Sequence, residues 1–287
     1  MNTQEILDLA VSMADLEETP ADSGILVPGE NIKKAIMGID MGVSELILGR
    51  EMKADVIISH HPQGGEPSIH FHKVMERQID CMVKAGVPVN KAQKALKEKK
   101  ERVERSQHMS NYDRVASAAK LTNTPFMNIH MPLDILSENN VQAHIDSRID
   151  HPKATLKEVV DALMEMEEYQ HTLAKPAIRV GAEKDYAGKI LVLMAGGTNG
   201  GEKVFEAYFD AGIGTIVCMH IPEEVRKAVV KQNIGNVIVA GHMASDSVGI
   251  NQFIRALRER NLEVLTISGI TTGKEQRRRG EQGGENQ

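Results

Sequence analysis

An α/β fold with layered sheets is predicted by three features of the sequence. Short apolar runs alternate with amphipathic helical stretches, the signature of strand–helix units. A segment in which a strand runs into histidine occurs in the first half and recurs in the second. The 287 residues are also enough to bury a full core. The first helix is read over residues 2–16 from the spacing of Ile6, Leu7, Ala10 and Val11. Strands are expected at 35–39, 56–59, 125–129, 190–194, 215–219, 237–240 and 264–267. Helical patterns lie between them at 43–52, 155–166, 203–211, 222–230 and 247–260. Residues 91–105 set seven Lys or Arg against three Glu. This reads as a solvated helix laced with i,i+3 and i,i+4 ion pairs, or as an anion-attracting rim near a substrate entrance. Residues 273–287 contain no apolar side chain and are expected to form a disordered tail outside the fold.

Composition narrows the function classes. Hydrophobic residues make up 41% of the chain and charged residues 26%, as in an ordinary soluble protein. Aromatics are only 3%, so aliphatic residues and the 15 methionines must build the core. No apolar run approaches the ~20 residues of a membrane span, and the acidic start MNTQEILDLAVSMADLEE has no basic leader region. A net charge of −6 disfavours a nucleic-acid partner. The two cysteines, Cys81 and Cys218, are far apart and form no C-x-x-C pair, which fits reduced thiols and a cytoplasmic location.

The eleven histidines carry the chemistry. In ADVIISHHP an apolar strand ends at His60 and His61, and Pro62 stops the ladder. Successive strand residues face opposite ways, so two adjacent imidazoles can flank a centre. NIHMPLD and GHMASD share the pattern H-M-x-x-D, giving His130 with Asp134 and His242 with Asp246. Each follows a short apolar strand and opens a helix, where a spacing of four puts both side chains on one face. Pro132 is tolerated in a first helical turn. GTIVCMHIP echoes ADVIISHHP and pairs His220 with His60. The pattern indicates two diverged α/β repeats about a pseudo-twofold axis, the first carrying about 48 extra residues between its two motifs. Four imidazoles and two carboxylates (His60, His61, His130, Asp134, His242 and Asp246) suit two divalent ions with open positions, whether Zn, Fe or Mn. Two such ions can activate a water and stabilise negative charge on a substrate. Beside them, His220 is a candidate catalytic acid–base group. The loop GGTNGG at 196–201 has backbone donors that could hold phosphate or carboxylate, although it lacks the P-loop lysine. His70 and His72 are read as exposed or pocket residues. Asp40 and Asp55 are read as positioning their neighbours.

These motifs resemble the Nif-three-like superfamily, named for NGG-interacting factor three and including the GTP cyclohydrolase I type 2 homologues. The resemblance rests on HHP after a strand, H-x-P-x-D after a second strand, the late G-H-x-x-S-D, the pair Ile39–Asp40 and the Gly-Gly at 196–197. It runs from about Asp22 to Gly269. It implies two intertwined α/β lobes with swapped terminal strands, a dinuclear metal site between them and a toroidal homohexamer. The lobe division expected is 1–127 plus 247–272 for the first and 128–246 for the second. The same six residues are the implied ligands, with Asp246 where the family usually carries Glu, and Met219–His220 where many members carry Gly-Glu. The shorter Asp246 is expected to bind through water and to leave one ion exchangeable. The resemblance nominates a metal-dependent hydrolase acting on a nucleotide or related small molecule. The alternatives are a non-catalytic metal-binding interaction or regulatory protein and, ranked last, a nucleic-acid binder acting through residues 91–105.

Overall fold

The computed structural model describes residues 1–271; the tail expected at 273–287 lies outside the described residues. The first half runs α1 (Thr3–Met13), β1 (Gly24–Val27), β2 (Lys34–Gly38), α2 (Val43–Glu51), β3 (Val56–Ser59), α3 (Gly65–Ile69), a 3-10 segment Phe71–Glu76, α4 (Arg77–Lys84), α5 (Val89–Gln107), α6 (Arg114–Leu121), β4 (Phe126–Asn128) and α7 (Met131–Arg148). The second runs α8 (Leu156–Leu163), α9 (Glu167–His171), β5 (Ala177–Val180), β6 (Ile190–Leu193), α10 (Glu202–Asp210), β7 (Thr215–Cys218), α11 (Glu223–Gln232), β8 (Asn236–Val239), α12 (His242–Glu259) and β9 (Glu263–Ile267). Each of the seven expected strands is present. The helix expected from residue 247 begins five residues earlier, at His242.

The strands form two sheets, ordered β1-β4-β3-β2-β9 and β5-β8-β7-β6. Their first four positions correspond one to one. In each sheet the outer strand, β1 or β5, is antiparallel and bulged, and the next three are parallel. The repeat legible in the histidine motifs is thus a repeat of topology. The central strands β3 and β7 are buried at every residue, which is why they read as continuous apolar runs without alternation.

Between the sheets lie α7 and α12, each buried on both sides. Leu133, Leu136, Ile250, Phe253 and Ile254 pack towards the first sheet. Val141, Ile145, Ala244 and Val248 pack towards the second. Outside them, α2 and α6 cover the first sheet, and α4, α5, α10 and α11 cover the second. The central pair meets almost backbone to backbone. A Cβ built on Gly249 would stand 2.0 Å from the Leu133 carbonyl oxygen, and the Gly249 N–H donates to Ser137 Oγ at 2.8 Å. Only glycine permits this approach.

The open sides of the sheets are closed differently. In the first sheet β9 pairs with β2 in parallel. In the second, α7 side chains do the work: Gln142 Oε1 accepts from the Val192 N–H, and Glu138 Oε2 accepts from those of Met194 and Ala195. Arg77 holds the same carboxylate at 2.7 Å. Edge donors that would otherwise be left bare are therefore paired.

Replacing Gly249 by Ala should force α7 and α12 apart. Overpacking of this kind costs about 1–3 kcal/mol or more, so chemical denaturation should show a loss of at least that size. Stability equal to the wild type would mean the helices do not depend on this contact.

Candidate metal centre

The parallel strands of both sheets point their carboxyl ends at one place, the position where open α/β sheets bind ligands. His60 and His61 follow β3, and His130 follows β4 by two residues. His242 opens α12 just beyond β8, and His220 follows β7. The helices set the remaining spacing. His130 sits at the start of α7 with Pro132 in the first turn, so Asp134 returns to its face one turn later. His242 and Asp246 repeat this on α12.

The six expected residues are brought together. His60 Nε2 lies 3.2 Å from Asp134 Oδ1 and 3.8 Å from Asp246 Oδ1. Asp246 Oδ2 lies 3.6 Å from His61 Nε2 and 3.5 Å from His242 Nε2. His130 Nε2 lies 3.6 Å from Asp134 Oδ2. Atoms bound about 2.0–2.2 Å from one ion stand roughly 3–4 Å apart, so these separations suit a shared cation. Three overlapping groups could hold one: His60, His61 and His130; His61, His242 and Asp246; and His60, Asp134 and Asp246. His60 Nε2, Asp134 Oδ1 and both Asp246 oxygens are buried without a directed hydrogen bond. Unanswered polar atoms at this density are costly unless something else binds them.

Asp246 does not stand back from the centre. Its Oδ1 faces His60 and its Oδ2 faces His61 and His242.

The imidazoles are aimed from behind. His130 Nδ1 meets Asp22 Oδ2 at 2.7 Å, His61 Nδ1 meets Asp40 Oδ1 at 2.8 Å, and His60 Nδ1 meets the Ile129 carbonyl at 3.0 Å. A proton held on Nδ1 leaves each Nε2 lone pair facing inward, the arrangement that orients metal-binding histidines. Asp55 likewise accepts from the Lys33 and Lys34 N–H groups. Burial opposes the charged form of His60, but Asp134 and Asp246 outweigh it and raise its pKa well above the usual value. His61 is pushed down to about 4 by burial and the neighbouring His60. The carboxylates thus favour a positive charge at this place, where a bound cation would compete with the proton.

The cluster has a buried and an open side. His60, His130, Asp134 and Asp246 are enclosed, whereas His242 is 43% exposed over its side chain. A cavity of about 300 Å³ opens above, bordered by His61, His130, His242, His220 and the loop at 196–201. The ring of His220 stands 5.0 Å from that of His242, outside the three ligand groups. Its pKa is lowered by burial and by His242. His70 and His72 lie outside the groups as well, but Phe71 between them stands 5.4 Å from the His130 ring. Asp22 is the residue that motif reasoning missed. It lies 108 positions from His130, and nothing in its local sequence marks it.

No family profile matches the chain, nor does any curated protein. Among solved structures, the chain is similar to a NIF3 superfamily protein from Sphaerobacter thermophilus, with 38% identity over 94% of this chain and 98% of that one, at a TM-score of 0.91. Reduced HcgD from Methanocaldococcus jannaschii matches at 15% identity over 93% of this chain and 97% of that one, TM-score 0.55. TTHA1606 from Thermus thermophilus matches at 16% identity over 93% of this chain and 98% of that one, TM-score 0.54. The last two share the fold.

Removing Asp22 or His130 should weaken metal held on the buried side, and removing His242 should weaken metal held on the open side. Loss of an outer partner typically costs 10–100-fold in metal affinity. Asp22→Asn should therefore lose about tenfold or more, with helix content preserved by circular dichroism. Full metal stoichiometry and affinity in Asp22→Asn, His130→Ala and His242→Ala together would contradict this geometry.

Proposed function

The chain belongs to the NIF3 superfamily, and on that basis we propose that its His/Asp cluster binds two divalent ions, Zn, Fe or Mn, and makes the protein a metal-dependent hydrolase of a nucleotide or related small molecule. The observation that carries the reading is a set of buried, unpaired ligand atoms at the floor of an open cavity. Closed structural sites leave no room above their ligands, whereas catalytic ones keep a position free. His60, His61, His130, Asp134, His242 and Asp246 would hold the ions. Such ions, when bound, activate water and stabilise negative charge that develops on the substrate.

The protein's own groups supply the rest. Asp22 and Asp40 fix the rings of His130 and His61 so that little reorganises on binding. His220, kept neutral by burial and by His242, borders the cavity with both ring nitrogens free to take or give a proton. Phe71, Pro62, Leu193 and Met219 give the cavity apolar walls that limit water around the reacting atoms. Among the described residues no helix is long and apolar enough to cross a membrane. We propose a cytoplasmic homohexamer, an assembly supported by the exposed apolar side chains of Ile47, Leu48 and Leu121.

Metal-loaded protein should hydrolyse at least one member of a panel of nucleotides that includes GTP. His220→Ala should lower kcat by about 10²–10⁴-fold, the usual contribution of a positioned acid or base, with its metal content intact. Full metal loading with Zn, Fe and Mn but no turnover of any nucleotide would remove the hydrolase and leave a non-catalytic metal-binding protein.

A further inference from the structure

One wall of the cavity carries a second set of unanswered polar groups. Residues Gly196–Gly201 join β6 to α10, and several of the polar groups that shape this loop are already engaged. Gln78, fully buried on α4, donates Nε2 to the carbonyls of Gly196 and Thr198, both at 2.7 Å. Thr198 Oγ1 accepts from the Gly200 N–H at 3.2 Å, and Asn199 Oδ1 accepts from the Gly201 N–H at 3.1 Å. Gly197 has a φ of 73°, and a Cβ there would meet the Phe71 ring at 3.1 Å.

Beside the unpaired Gln78 Oε1, the loop leaves donors over at the cavity. The N–H groups of Gly197 and Asn199 donate to no protein atom. Asn199 is only 8% exposed and borders the cavity, and its Nδ2 has no partner. An NH₂ group can only donate, so the missing partner is an acceptor. A buried donor without one is costly. Hydrogen bonds to a charged acceptor are roughly twice as strong as neutral ones, which favours an anion. On the outer side of the loop, Lys99, Arg102 and Lys203 are balanced by Glu98, Glu202 and Glu224. Preference for an anion therefore rests on the loop's own donors.

We propose that the Gly196–Gly201 loop anchors an oxyanion, phosphate or carboxylate, carried by the substrate. This deepens the reading of the cluster as a metal centre and rests on it. The substrate is a small anionic molecule with its reacting atoms over the His/Asp cluster and its oxyanion against Asn199.

Asn199→Asp provides the test. It keeps the oxygen that accepts from Gly201 and exchanges the donor for a second oxygen. Inorganic phosphate, and acetate in parallel, would be titrated calorimetrically into metal-loaded and chelator-stripped protein, with metal content measured by elemental analysis. The expected result is binding of at least one anion in both metal states, weakened at least tenfold by Asn199→Asp while metal content stays unchanged. The tighter of the two anions identifies the group recognised. Asn199→Ser, which adds no repelling charge, should lose affinity too. Equal affinity in wild type and either variant, no anion binding, or binding that vanishes on metal removal would each overturn the inference. The metal analysis reads the metal centre independently, so a protein that binds metal but fails these tests would lose only the anchoring loop.

Discussion

The close contact of α7 and α12 at Gly249 and Leu133 is the constraint on which the rest of the molecule depends. Each helix follows the last central strand of its sheet, and each opens with a histidine and an aspartate one turn apart. Packed side by side between the sheets, they bring two equivalent motifs from opposite halves of the chain into one cluster. Their burial on both faces also explains their composition. Ser137 and Glu138 are enclosed with the leucines because they serve the neighbouring backbone. Without the glycine the helices could still form, but the carboxylates at their starts would separate.

The charge of the cluster follows from this geometry. Asp134 and Asp246 are buried with only imidazoles for company, an arrangement that is stable only if positive charge is supplied. Burial opposes charge on His60 and His130, but the neighbouring carboxylates raise the pKa of both. A divalent ion would compete with protons for the same nitrogens, which would couple metal uptake to proton release. Asp22 and Asp40 lie behind the rings and make the inward lone pairs a fixed property of the fold.

Much of this was legible in the sequence because its signals are local. An apolar run ending in HHP, and two H-M-x-x-D segments after strands, mark strand ends and helix starts without reference to anything distant. The recurrence of strand and histidine revealed the repeat, and the sheet orders show the same repeat. Other features were silent for physical reasons. β1 and β5 are four-residue outer strands, half exposed and bulged, so they carry no sustained alternation. The contact of α12 with α7 at Gly249 joins positions more than 100 residues apart in sequence, which no local pattern announces. Asp22 belongs to the site through a single long-range hydrogen bond, which has no periodicity to detect.

The unequal closure of the two sheets bears on whether either half could stand alone. The first sheet is completed by β9, which follows the second repeat's helix, whereas the second is completed by side chains of the first repeat's helix. Each half therefore supplies the missing border of the other, by different chemistry. Cutting the chain between its halves would leave the first with an open edge at β2 and the second with bare amides at Val192, Met194 and Ala195, so neither half is closed without the other.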